Sequence, residues 1–175
     1  MKVIKVCNYI EGETPIGDVN VLDKDGLKSR NIGRWIRRYL TAAPDDTDVI
    51  VKLDPDCLIT GPLVIPDGQW DVAGHLTGFK NGLWPLGGAF LIKREAAIRI
   101  ANLIWHPDSR YLCNYYIDSR GKRMPIEEDA LSHFGRLLDL KFREWPGSLI
   151  RFRPYVDKSE ISDKHFIYHP VKGEL

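Results

Sequence analysis

The chain has 175 residues, with 25 Lys+Arg against 24 Asp+Glu, a net charge of +1 and 43% hydrophobic residues. That length is enough for one compact domain with a sizeable core, and the balanced charge offers no general footing for nucleic acid or an acidic membrane surface. No window approaches the roughly 18 consecutive apolar residues of a membrane span, and Cys7, Cys57 and Cys113 are odd in number and widely spaced, which speaks against a disulfide framework or a zinc knuckle and for a reducing, cytoplasmic setting. In chain order, Lys2 to Asn8 reads as a strand; it lacks the long apolar core of a signal peptide. Asp18 to Leu22 is a second short strand, and Asp23-Lys24-Asp25-Gly26 a turn. Ser29 is placed to cap a helix running to Leu40, with Ile32, Trp35, Ile36 and Tyr39 on its inner face. The β-branched run Val49-Ile50-Val51 predicts a buried strand. Further strands are expected over Trp70–Gly74 and Ala89–Lys93, the latter running into a helix over Arg94–Ile104. A helix over Glu127–Leu138 and late strands at Phe142 and over 149–152 complete a mixed sheet flanked by helices, an α/β fold in a single domain over residues 1–175.

Four features carry chemistry. Val49-Ile50-Val51-Lys52-Leu53-Asp54-Pro55-Asp56 is an apolar run ending in two aspartates. Their side chains leave an extended backbone on the same side, and they sit at a strand's C-terminal end, where open α/β sheets place ligands. Two such anions repel unless a cation or a proton separates them, and a hard divalent ion bridging a phosphate fits that place. An ordinary acidic turn after a strand has the same look. Gly87-Gly88, read as a turn before a strand, allows close backbone approach to a ligand. Pro125-Ile126-Glu127-Glu128-Asp129 opens a helix with three acids. The macrodipole alone would favour them there, but Glu128 or Asp129 is also placed to act as a general base. His165 and His169 lie near the C-terminus; a neutral imidazole can complete a metal shell begun by two aspartates, and Lys172 can neutralise a diphosphate.

In this order and spacing, the features resemble the metal-dependent nucleotide-sugar glycosyltransferases of the GT-A fold, in the pattern of the inverting β1,3-galactosyltransferase/Fringe-like group. The residues that carry the resemblance are Lys52-Leu53-Asp54-Pro55-Asp56, then Gly87-Gly88-Ala89 through Arg94-Glu95-Ala96, then Glu128-Asp129, over roughly residues 48 to 140. The resemblance implies a Rossmann-like GT-A domain using Mn²⁺ or Mg²⁺, a UDP-sugar donor, and a glycan or other hydroxyl acceptor. It implies that Asp56 binds the metal with His169, and that Asp54 contacts the metal shell or the ribose. Gly87 and Gly88 would line the donor and acceptor pocket, Lys172 would lie near the diphosphate, and Asp129 would be the base, with Glu128 in reserve. Arg30, within Lys28-Ser29-Arg30-Asn31, is a candidate for base or phosphate contact, and Trp84 and His75 are candidates for sugar contact. The stretch before Asp54 is short for a complete nucleotide-binding half. The N-terminal half is therefore expected to be abbreviated, as in a bacterial or viral version, and the disulfides and membrane anchor usual in that group are not expected.

Two other readings compete. In a haloacid-dehalogenase-like phosphatase, Asp54 would be the nucleophile and Glu128-Asp129 would hold Mg²⁺, but that motif normally follows the first strand, and Leu58 stands where a small hydroxyl or β-branched residue belongs. In a non-catalytic domain, the same site would bind a nucleotide sugar or glycan without turnover.

Overall fold

The computed structural model describes residues 1–79, 82–105, 116–117, 123–124, 127–151 and 155–171. Strands β1 (Val3–Tyr9), β2 (Val19–Leu22), β3 (Val49–Leu53), β5 (Val72–Phe79), β6 (Gly82–Lys93) and β9 (Phe142–Glu144) form a six-stranded sheet in the order β2-β1-β3-β6-β5-β9. β6 runs against both of its neighbours, and the other pairings are parallel. The sheet is therefore mixed, as expected. A three-stranded sheet combines β4 (Leu58–Ile59), β10 (Ser148–Ile150) and β11 (Ile167–His169) in the order β10-β11-β4. A short hairpin-like pair joins β7 (Tyr116–Ile117) and β8 (Arg123–Met124).

Among the described residues the α-helices are α1 (Leu27–Arg30), α2 (Ile32–Leu40), α3 (Arg94–Trp105) and α4 (Glu127–Leu137), and a single 3-10 turn spans Lys158–Glu160. Trp35, Ile36 and Tyr39 of α2, Ile100 of α3 and Phe134 of α4 share a core with Val6, Ile50, Phe90 and Ile92 of the sheet. A second core contains Val51, Leu53 and Leu91 together with Trp70, Trp145, Phe166 and Ile167. The two sets alternate along β1, β3, β5 and β6, as the two-residue side-chain period requires. Fully burying one such large side chain contributes about 1.5–3 kcal/mol. β3 is buried at all five positions, which is why its apolar run carries no alternation.

Three local expectations change. The helix expected from Ser29 is two helices. Asn31, not Ser29, caps the longer one, its side-chain oxygen accepting a hydrogen bond from the Arg34 N–H at 3.1 Å. Gly87 and Gly88 do not form a turn ahead of a strand; they lie inside β6, which begins at Gly82. β4 and β11 are strands where none was expected, because each is too short to show a periodic pattern.

Candidate metal centre and cleft

β1 has parallel neighbours on both sides, β2 and β3. The chain therefore leaves β1 toward one side of the sheet and returns, through α1 and α2, to the other. That reversal opens a crevice at the strands' C-terminal ends. A cleft of about 750 Å³ lies there, lined by Asn8 and Tyr9 from the end of β1, Lys28, Asp54 and Asp56 following β3, and the exposed Tyr155.

The turn after β3 is held by backbone bonds. The Asp54 N–H donates to the Gly88 carbonyl at 2.8 Å, extending the β3–β6 ladder, and the Cys57 N–H donates to the Asp54 carbonyl at 3.1 Å. β4 follows at once and pairs with β11, aligning Leu58 with Tyr168. The Val171 N–H then donates to the Asp56 carbonyl at 2.9 Å. These bonds bring His169, at the end of β11, to the aspartates.

Asp54, Asp56 and His169 each offer a ligand atom, all within 4.8 Å of one another, and could together hold a metal ion. His169 Nε2 is 3.1 Å from Asp56 Oδ1 and 3.8 Å from Asp54 Oδ2. Neighbouring ligand atoms of an octahedral ion with bonds near 2.1 Å are about 3.0 Å apart, and opposite ones about 4.2 Å, so the His169–Asp56 separation suits neighbouring positions on a divalent cation. Burial pushes the Asp56 carboxyl up, but the hydrogen bond and charge of His169 outweigh it and hold the group below its ordinary value. Gly88 makes the approach possible. A Cβ there would lie 2.0 Å from His169 Nδ1, inside the imidazole's van der Waals envelope. That Nδ1 is buried without a hydrogen-bond partner.

Beneath the aspartates lies a buried polar group. The ammonium of Lys52, fully enclosed in β3, is 2.6 Å from Asp54 Oδ1 and 3.5 Å from Glu127 Oε1. Glu127, buried at the start of α4, accepts a hydrogen bond from the Tyr39 hydroxyl at 2.6 Å. Burial by itself would lower the Lys52 pKa, but the Asp54 and Glu127 charges more than reverse that and keep the ammonium protonated. Burial likewise pushes the Glu127 carboxyl and the Tyr39 hydroxyl upward.

The expected site residues divide accordingly. Asp54, Asp56 and His169 come together, and Gly88 supports His169. Of the three acids opening α4, Glu127 faces Lys52; Glu128 is half-buried, and the side chain of Asp129 lies outside the described residues. Lys172 and the side chains of Arg30 and Trp84 also lie outside them, while Gly87 is placed within β6. His75 is exposed on β5 and is not among the residues lining the cleft. From the segment 28–31, Lys28 reaches the cleft and Asn31 caps α2.

Sequence reasoning gave no site role to Asn8, Lys52 or Tyr39, and named Glu127 only as one of three acids at a helix start. A lysine within an otherwise apolar strand was a legible signal, because a buried ammonium requires a charged partner. Asn8 carried no such signal. Its side-chain oxygen and nitrogen, and the Trp35 indole nitrogen, are buried without hydrogen-bond partners, and both residues line the cleft. No family model and no curated protein matches this chain.

Proposed function

We propose that this chain is a metal-dependent glycosyltransferase that moves a sugar from a nucleoside-diphosphate sugar, a UDP-sugar by the resemblance of its motifs, to an acceptor hydroxyl with inversion. The observation that carries the reading is the convergence of Asp54, Asp56 and His169 beside a cleft at the reversal of strand order. Carboxylates suit Mn²⁺ or Mg²⁺, and the added imidazole favours Mn²⁺. Bound there, the ion would take up charge on the departing diphosphate. The cationic Lys28 offers a second contact to it from the cleft wall. The bond from the anomeric carbon to the diphosphate oxygen breaks with its electron pair on that oxygen. The acceptor oxygen attacks from the opposite face, and its proton passes to the Asp129 carboxylate, with Glu128 as the other candidate.

A thermal-shift panel of nucleoside diphosphates and sugar nucleotides, with and without Mn²⁺, tests this. A ligand at a hundredfold its Kd stabilises the native state by about 2.7 kcal/mol. At this chain length that raises Tm by roughly 5–10 °C. Wild-type protein should show a Mn²⁺-dependent rise and slow release of nucleoside diphosphate, and Asp56→Asn should abolish both. No metal-dependent shift with any nucleotide overturns the reading. Phosphate released from generic esters would favour the phosphatase, and donor binding without turnover for any acceptor the binding domain.

A further inference from the structure

We propose that Lys52 is a positioning residue for the metal centre: clamped between Asp54 and Glu127, it sets the orientation of the Asp54 carboxylate and ties the metal-binding turn to the first turn of α4. The inference rests on reading Asp54, Asp56 and His169 as a metal site. Lys52 and Asp54 stand two apart on an extended segment, so their side chains leave it on the same side. The ammonium takes Oδ1 of Asp54 at 2.6 Å and leaves Oδ2 toward His169, 3.8 Å away. The lysine has little freedom to do otherwise, since its Nζ lies 5.9 Å from the ring centroids of both Tyr39 and Phe90. Glu127 is in turn fixed by the Tyr39 hydroxyl. One hydrogen-bonded and charge-paired line therefore runs from α2 through α4 to the metal-facing strand end.

Stability does not account for the arrangement. A buried ion pair is often no better than apolar residues of the same volume, and a methionine would fill the lysine's space without a charge to enclose. What the charge adds is a fixed rotamer at Asp54. Groups that orient metal ligands in this way typically contribute 10–100-fold to metal affinity.

The test is Mn²⁺ affinity by calorimetry, with thermal melts alongside, for wild type, Glu127→Gln and the double variant Lys52→Met/Glu127→Gln. Lys52→Met alone would leave Glu127 buried without its cation and could fail to fold. The double variant removes one charge of each sign and keeps an acceptor for Tyr39. It is expected to melt cooperatively near the wild-type temperature and to bind Mn²⁺ some 10–100-fold more weakly. Glu127→Gln, which leaves Lys52 on Asp54, is expected to keep most of the affinity. A folded double variant with wild-type affinity would overturn the assignment, and so would a Glu127→Gln variant that shows the whole loss. Wild-type protein that binds no Mn²⁺ would remove the metal reading itself, a separate and distinguishable failure.

Discussion

Replacing Gly88 by alanine puts one methyl group where the His169 imidazole now lies. The added carbon would be 2.0 Å from Nδ1, 2.2 Å from Cε1 and 2.3 Å from Cγ. Ordinary van der Waals contact begins near 3.4 Å, so the ring has to withdraw by more than an ångström. Backbone movement is resisted because the Gly88 carbonyl accepts from both the Asp54 N–H and the Cys57 thiol. His169 Nε2, now 3.1 Å from Asp56 Oδ1, is therefore the atom that leaves, and with it one of the three candidate metal ligands. The expected loss is about 100-fold in Mn²⁺ affinity, or roughly 2.7 kcal/mol. Overpacking adds a stability cost of about 1–3 kcal/mol. Calorimetric titration of Gly88→Ala, His169→Ala and the double variant separates the two effects. In the His169→Ala background the three atoms nearest the added carbon are gone, so alanine at 88 should cost no further affinity and its stability penalty should shrink. Wild-type Mn²⁺ affinity in Gly88→Ala, or additive losses in the double variant, would refute the reasoning.

Two further outcomes are expected. Asn8→Leu removes two buried polar atoms that lack partners, so it should stabilise the free protein by about 1 kcal/mol, a rise of roughly 2–4 °C in Tm. Nucleotide affinity should be unchanged, because both amide atoms are buried away from the cleft surface; a lowered Tm would contradict the absence of partners for them. Burial pushes the Cys7 and Cys57 thiols up, Cys57 strongly, so in a Cys113→Ser background neither should react with a thiol reagent at pH 8 until the chain is unfolded. Because the folded state holds these protons more tightly, their contribution to stability is complete below the unfolded thiol pKa of 9.0 and is lost as pH rises above it; rapid labelling of native protein would contradict the placement of both side chains.

The parts of the site that could be read in advance are local. Val49–Leu53 is a short apolar run, and the two aspartates that end it share a side of the chain because the strand period is two. The helices over 94–105 and 127–137 were expected over 94–104 and 127–138, to within a residue at each end. Gly88 was recognised as a place of close approach, but its neighbour is His169, which no spacing rule connects to it. In the same way, three adjacent acids look alike until α4 is docked, when the first of them turns inward to Lys52 and Tyr39.

By itself the sequence determined the α/β class, the buried strand and the acidic pair at its end, because periodicity and burial are written in neighbouring residues. The motif resemblance already set His169 beside those acids and the tertiary structure brings the three together; the tertiary structure alone decided that Glu127 is the acid facing Lys52. It also decided that Asn8 lines the cleft with its amide unpaired. These contacts depend on the order and register of strands far apart in the chain, and register is set by the joint packing of both sheet faces rather than by any one segment.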